Sequence, residues 1–206
     1  MDMKFVYFDV GGVLIKDLTE IDDGWGVLLS SLGLKNNQRQ EFDVFFEKLV
    51  RKFDLGEGTE EFALGLKTNF GIKLPDHYSV SDDLVNRFFY KKKKIWKIVD
   101  EFKKRYGVGL LTNMYGGMLD LIREKGLVSN INWDVIVDSS IEKCRKPDRK
   151  IYEIAQERAE VEAKEILFID NKQENLEIPK KMGWQTYWYD SSDYETSNWK
   201  LAEILR

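Results

Sequence analysis

A lone carboxylate stands at the end of the first hydrophobic run of the chain. Residues 4–8 read KFVYF, the run ends at Asp9, and Gly11 and Gly12 follow shortly after. Aromatic and β-branched residues bounded by glycines are typical of a buried strand and its turn. Ligands of open α/β sheets bind outside the carboxyl ends of the strands. Asp9 would therefore lie at a ligand-binding edge, and a carboxylate there can attack phosphorus and form an acyl phosphate. An aspartate that only caps a turn gives the same pattern.

Three later segments carry polar residues that complement this carboxylate. They are LLTN at 110–113, RKPD at 145–148 and LFIDN at 167–171. The first and the third end hydrophobic runs, as Asp9 does. The Thr112 hydroxyl and free N–H groups beside Asn113 would suit phosphate oxygens where a strand gives way to a helix. An ordinary N-cap pair is the alternative interpretation of these two residues.

The four segments together resemble, in the usual chain order, the four motifs of the haloacid dehalogenase (HAD) superfamily. The resemblance covers roughly the whole chain and implies a doubly wound α/β parallel sheet, a Rossmann-like core with a helical-bundle cap. It implies a Mg²⁺-dependent phosphatase that works through an aspartyl phosphate on Asp9. It assigns catalysis to Asp9 and Lys146, phosphate binding to Thr112, Asn113 and Lys146, and the metal to Asp9, the Gly11 carbonyl and Asp170. Most lysines lie at the surface, which is the alternative for Lys146.

Two residues depart from the family pattern. Gly11 stands where most related phosphatases have a second aspartate, which protonates the leaving oxygen and later activates water. Either the leaving group departs with little help, as from a sugar 1-phosphate or an acyl phosphate, or a water or a cap residue supplies the proton. Glu57, Thr59 and His77 are the candidates in the cap. Asn171 replaces a second acid and predicts weaker metal binding, with Glu174 as a candidate outer contact.

The elements that position these residues follow from periodicity. Residues 21–90 show about four helical segments without a convincing strand, and an aromatic stripe at 42–53 favours one strongly amphipathic helix. From Ile95 onward, helical and strand patterns alternate, which indicates a parallel sheet covered on both faces. We therefore predict a core of residues 1–15 and 91–206 and a helical cap of residues 16–90.

Composition narrows the class of protein. The 206 residues have a net charge of −4, which gives no basic footprint for nucleic acid, and no apolar run approaches the length of a membrane span. Cys144 is the one cysteine and cannot form an internal disulfide, so a reducing cytoplasmic location is expected. The expected partner is a small phosphorylated molecule such as a sugar phosphate, with neither nucleic acid nor membrane; the sequence leaves the oligomeric state open.

Two other functions compete with the phosphatase. A catalytically weak binding or regulatory module would explain Gly11 and Asn171, but it need not retain Asp9, Thr112, Lys146 and Asp170 together. A 2-haloacid dehalogenase would also use Asp9 without a metal. By resemblance, those enzymes lack an acid at position 170 and carry a bulky residue at position 11.

Overall fold

A five-stranded parallel sheet forms the centre of the molecule. The computed structural model describes residues 2–206, apart from the side chains of Trp25, Asn36 and Thr59. The strand order is β5-β4-β1-β6-β7, so the first strand lies in the middle, which confirms the predicted fold class. The strands of this sheet are β1 Phe5–Phe8, β4 Gly107–Thr112, β5 Val135–Asp138, β6 Ile166–Asp170 and β7 Gln185–Trp188.

The register of the strands brings the three predicted motif ends to one edge. Phe8 pairs with Leu110 on one side and with Ile169 on the other. Asp9 therefore follows β1 at the level where Asp170 ends β6. The residues of β1 and β6 are all buried, as expected for central parallel strands covered on both faces.

Two hydrophobic clusters cover the two faces of the sheet. Alternate residues of β1 point in opposite directions, so Val6 and Phe8 belong to one cluster and Phe5 and Tyr7 to the other. The core helices are α5 Ile95–Lys103, α6 Met118–Glu124, α7 Ser139–Glu142, α8 Arg149–Ala159, α9 Gln173–Lys181 and α10 Tyr194–Glu203.

A helical segment interrupts the core directly after its first strand. The chain leaves through β2 (Ile15–Lys16) and returns through β3 (Tyr90–Lys91), and these two strands pair antiparallel. Four helices lie between them: α1 Gly24–Ser31, α2 Arg39–Phe53, α3 Thr59–Phe70 and α4 Val80–Phe88. We call residues 17–89 the helical insert. Its interior is a group of phenylalanine rings, of which Phe42, Phe53 and Phe62 are almost wholly buried.

The starts of two helices of the insert are defined by a side-chain cap and by a glycine. Ser79 caps α4, because its hydroxyl accepts the Asp82 amide at 3.1 Å, and Ser81 is buried inside the helix. Gly58, at φ +90°, precedes α3, and Thr59 is its first helical residue.

Candidate active site

A buried ammonium joins two carboxylates at the carboxyl edge of the sheet. Lys146 Nζ lies 2.9 Å from Asp9 Oδ1 and 2.6 Å from Asp170 Oδ2. It also donates to the Leu111 carbonyl at 3.0 Å, so all three of its donors are used. The lysine side chain is 1% exposed and that of Asp170 is fully buried. The structure thus brings Asp9, Lys146 and Asp170 together.

Asn113 fixes the backbone from which this lysine extends. Its amide nitrogen donates to the Lys146 carbonyl at 3.0 Å, and its amide oxygen accepts the Lys146 N–H at 2.9 Å. The side chain is therefore engaged in positioning the lysine. A loop of residues 113–117 separates β4 from α6, so no helix begins directly at Thr112 and Asn113, as the phosphate-cradle prediction assumed.

Burial and the Lys146 ammonium shift the pKa of Asp9 in opposite directions. Burial raises the pKa of Asp9 to about 6, and the Asp170 carboxylate adds to this, while Lys146 and the Val10 amide oppose it. Burial lowers the pKa of Lys146, but Asp170 and Asp9 outweigh it and the net shift is upward. The lysine therefore stays charged. One cation against two carboxylates leaves the cluster with a net charge of −1, which favours an additional cation.

The two carboxylates differ in how fully they are engaged. Asp170 Oδ1 accepts from the Lys172 amide at 2.7 Å and from Asn175 at 3.2 Å, and Oδ2 accepts from Lys146 and from Asn175 at 3.0 Å. Three donor groups therefore make four hydrogen bonds to its two oxygens. Asp9 Oδ1 accepts the Val10 amide at 2.8 Å as well as the lysine, whereas Oδ2 accepts no hydrogen bond from the described residues. Asp9 is the carboxylate with an oxygen available to a substrate.

Asn175 supports this cluster, although the sequence prediction named its neighbour Glu174. Asn175 is buried and its amide reaches both oxygens of Asp170, whereas Glu174 is exposed. Helical spacing alone could have favoured Asn175, because it lies on the same face of α9 as the buried Leu176 and Pro179.

Two buried polar atoms at this edge lack a protein partner. Thr112 Oγ1 and Asn171 Oδ1 accept and donate no hydrogen bond among the described residues. Such atoms are rare in native structures and point to a partner outside the protein. The Asn171 amide lies against Gly12, where an added Cβ would come within 2.1 Å of its nitrogen, and Gly12 has φ +78°. Glycine at position 12 therefore makes room for the Asn171 side chain.

The donor set suits a hard cation that retains water. In the part of the chain that the structure describes, no group of three or more His, Cys, Asp or Glu side chains could hold a metal. The Asp9 oxygen, the Gly11 carbonyl and the unpartnered Asn171 oxygen are instead the neutral and singly charged oxygen ligands that Mg²⁺ accepts beside several waters. Asp170 could join them only by giving up one of its present donors.

The place of the missing second aspartate contains another carboxylate. A Cβ built on Gly11 would lie 2.7 Å from Asp17 Oδ2. Sequence reasoning missed Asp17, because it follows the first strand by eight residues and has no motif spacing. The signal that could have found it is the pair Asp17 and Glu20, a capping pattern that starts a helix immediately after the entry strand.

The helical insert contacts the core beside Lys146. Asp54, at the end of α2, forms an ion pair with Arg145 at 3.2 Å, and Lys143 Nζ donates to the Leu55 carbonyl at 2.7 Å. The rings of Phe53 and Tyr115 lie 4.8 Å apart. Of the proton donors predicted in the cap, Glu57 and His77 are exposed, and the Thr59 side chain lies outside the described part of the structure.

The sequence comparisons and the structural comparison give different outcomes. No family model matches the chain, and no curated protein matches it at a significant level. A HAD family enzyme from Bacteroides thetaiotaomicron superposes with a TM-score of 0.77 at 18% identity, covering 92% of this chain and 94% of that one. This chain has the HAD fold. A HAD-like family hydrolase from Porphyromonas gingivalis agrees, with a TM-score of 0.73, 20% identity and coverage of 100% and 99%.

The HAD fold does not by itself decide the reaction. The structure of an L-2-haloacid dehalogenase also matches, with a TM-score of 0.61 and 19% identity over 90% of this chain and 83% of that one. The Bacteroides enzyme has in addition been solved in complex with magnesium and inorganic phosphate. The residues at the edge of the sheet therefore have to distinguish the two reactions.

Within residues 2–206, the helices are all too short or too polar to cross a membrane.

Proposed function

We propose that this protein is a Mg²⁺-dependent phosphatase of small phosphorylated metabolites, with Asp9 as the nucleophile. The observation that carries the proposal is the buried bridge of Lys146 to Asp9 and Asp170, at 2.9 and 2.6 Å. It places a nucleophilic carboxylate and a cation at the sheet edge where ligands of this architecture bind. The magnesium and phosphate complex of the Bacteroides enzyme supports the same chemistry for this fold.

The charge balance of the site favours a metal. A phosphate monoester brings up to two negative charges to a cluster that already has a net charge of −1. Mg²⁺ would neutralise part of this charge and polarise the phosphoryl group. Asp9, the Gly11 carbonyl and Asp170 are the ligands that the family pattern implies. Because four hydrogen bonds already occupy the Asp170 oxygens, we propose Asn171 Oδ1 as a further candidate ligand.

The residues of this chain then have distinct roles. Asp9 attacks the phosphorus with its unengaged Oδ2, and the acyl phosphate that forms is hydrolysed by water. Lys146 is within reach of the Asp9 carboxylate and offsets negative charge that develops there. The buried Thr112 hydroxyl, which has no protein partner, is free to bind a phosphate oxygen. Asn113 acts through Lys146 and, in this proposal, through backbone contacts to the phosphate.

Dehalogenation is the less favoured reaction. It would also begin at Asp9, but a carboxylate at position 170 and a glycine at position 11 differ from the dehalogenase pattern. A binding module without turnover is favoured by one observation, the absence of an acid side chain at Gly11. The presence of Asp9, Lys146 and Thr112 together favours an active enzyme over a binding module.

The experiment is a screen of phosphorylated metabolites with and without Mg²⁺. We expect release of inorganic phosphate from at least one class of small esters, with loss of activity in EDTA and in the Asp9→Asn variant. Asp22→Asn, which makes the same chemical change at an exposed site of the insert, is the matched control and should retain activity. Turnover that survives full chelation would refute the metal assignment, and no turnover of any phosphate would favour the binding module.

We extend the proposal to a reducing, cytoplasmic location for the protein. Its one cysteine, Cys144, is buried and free, which is compatible with such a compartment.

A further inference from the structure

We propose that Asp17, at the start of the helical insert, is the proton donor and acceptor that Gly11 cannot provide. This inference rests on the proposed phosphatase function. It adds a catalytic residue from outside the four motif segments. The juxtaposition that carries it is the approach of the Asp17 carboxylate to the face of Gly11 from which a side chain would project.

The distance between these residues shows that only one side chain fits there. A Cβ on Gly11 would lie 2.7 Å from Asp17 Oδ2 and 3.8 Å from Asp17 Cγ. Contacts below 3.0 Å are essentially never made by a Cβ, so any side chain at position 11 would displace this carboxylate. Glycine at position 11 thus leaves the space that the Asp17 carboxylate occupies. The carboxylate is supplied from the insert instead of from the turn.

Asp17 is held in place by one oxygen and leaves the other available. Oδ1 accepts from the Thr19 amide at 2.9 Å and from the Thr19 hydroxyl at 2.6 Å. The Asp17 amide in turn donates to Glu20 at 3.3 Å, which completes a capping box. Oδ2, the oxygen next to Gly11, accepts nothing from the residues that the structure describes. A cap alone needs only one of the two oxygens.

Asp17 also lies near the loop that follows β4. Burial raises the pKa of Tyr115, and the Asp54 and Asp17 carboxylates raise it further while Arg145 lowers it. Tyr115 lies in the loop after Thr112, so Asp17 is within electrostatic range of the loop that follows β4 as well as of the Gly11 turn.

Two other acids of the insert that lie near the core already form ion pairs. Glu20 pairs with Lys92 at 2.6 Å, and Asp54 pairs with Arg145 at 3.2 Å. Glu57 is exposed and makes no ion pair among the described residues. Asp17 is therefore the acid that combines proximity to Gly11 with an uncommitted oxygen.

The two half-reactions balance with Asp17 in this role. In the first, the Asp9 carboxylate forms a bond to phosphorus, the bond from phosphorus to the ester oxygen breaks, and that oxygen takes the proton of the Asp17 carboxylic acid to leave as an alcohol. In the second, water forms a bond to phosphorus and gives one proton to the Asp17 carboxylate, while the bond from phosphorus to Asp9 breaks. Inorganic phosphate leaves, and Asp9 and Asp17 return to their initial states.

The test is the leaving-group dependence of kcat/KM in the Asp17→Asn variant. The amide keeps an oxygen to cap Thr19 but cannot donate a carboxylic proton. A general acid contributes about 10²–10⁴-fold, so alkyl phosphates should lose activity by about that factor in the variant. Aryl phosphates, whose leaving groups need little protonation, should lose less than about tenfold. The wild type should show a shallow dependence, and Asp22→Asn should match it.

A carboxylate exchange distinguishes a catalytic role from a structural one. Gly11→Asp alone should lower activity, because its side chain collides with Asp17. Gly11→Asp combined with Asp17→Gly moves the carboxylate to the turn and should recover alkyl phosphate hydrolysis relative to Asp17→Gly alone. If Asp17→Asn lowers alkyl and aryl rates equally, or leaves both unchanged, the inference is wrong while the phosphatase proposal stands. If the wild type hydrolyses neither alkyl nor aryl phosphates with Mg²⁺, the phosphatase proposal itself fails.

Discussion

The carboxyl edge of the sheet and the helical insert are built on different physical principles. At the edge, buried ions lie 2.6–2.9 Å apart, and each charge depends on its partner. In the insert, the phenyl rings of α2 and α3 pack with centroids between 5.5 and 6.5 Å, and no ion pair lies inside that cluster among the described side chains. We therefore expect the stability of the edge to depend on each charge, and the stability of the insert to depend on side-chain volume. We therefore propose that chemistry belongs to the edge, and that the insert contributes through Asp17 and Asp54, two residues at which it meets the core.

Lys146→Met tests the edge with the largest expected effect on both stability and activity. The variant leaves Asp9 and Asp170 buried without their shared cation, and removing one partner of a buried pair typically costs about 3–5 kcal/mol. We expect a loss of this size in urea unfolding at pH 7 in metal-free buffer, together with loss of turnover. Lys172→Met, an exposed neighbour, should change stability by less than about 0.5 kcal/mol.

The pH dependence of that variant has a definite sign. Without the ammonium, the opposing effect of Lys146 on the pKa of Asp9 is lost, so this pKa, which burial already raises to about 6, rises further in the folded state. The cost of ionising the buried Asp9 is absent below the unfolded pKa, at about 3.9, and grows as the pH rises through the window up to the folded pKa. The stability difference between wild type and variant should therefore shrink as the pH falls from 7 to 4. A constant difference would show that packing, and not charge, is lost.

Phe62→Ala tests the insert. Phe62 is 1% exposed and its ring contacts those of Phe42, Phe46 and Phe53. The cavity should lower the free energy of unfolding by about 3–5 kcal/mol. At a temperature where the variant remains folded, kcat should change by less than about threefold, because no group at the sheet edge is altered. A large fall in kcat with unchanged stability would contradict the division between edge and insert.

Asn171→Asp tests whether residue 171 belongs to the metal site, and its expected effect is smaller. The new carboxylate would add a charged oxygen at the unpartnered position, so Mg²⁺ should bind about tenfold or more tightly. Isothermal titration with Mg²⁺ measures this directly, and Glu174→Gln, at an exposed site in the first turn of α9, is the control. Unchanged affinity would remove Asn171 from the set of candidate ligands.

The sequence predicted the functional residues at the sheet edge more completely than those of the helical insert. Asp9 and Asp170 were identifiable because each stands at the end of a hydrophobic strand, and parallel strands bring those ends together. Lys146 was identifiable through the resemblance of RKPD at 145–148 to a motif of the HAD superfamily. Asn175 lies on the buried face of α9, which helical spacing could have indicated. The engagement of the Asn113 side chain was not identifiable, because hydrogen bonds between a side chain and a distant backbone leave no periodic pattern. Asp17 was missed for the same reason. Its position depends on how β2 turns the chain back toward Gly11, which is a property of the folded chain.

The measurement that tests the central claim most directly is rapid acid quenching of a single turnover, followed by mass spectrometry of the peptide that contains Asp9. With an aryl phosphate and Mg²⁺, that peptide should transiently carry one phosphoryl group. The adduct should be absent in EDTA and in Asp9→Asn. Turnover of the ester with no phosphoryl adduct on this peptide at any quench time, or with an adduct on another residue, would contradict Asp9 as the nucleophile.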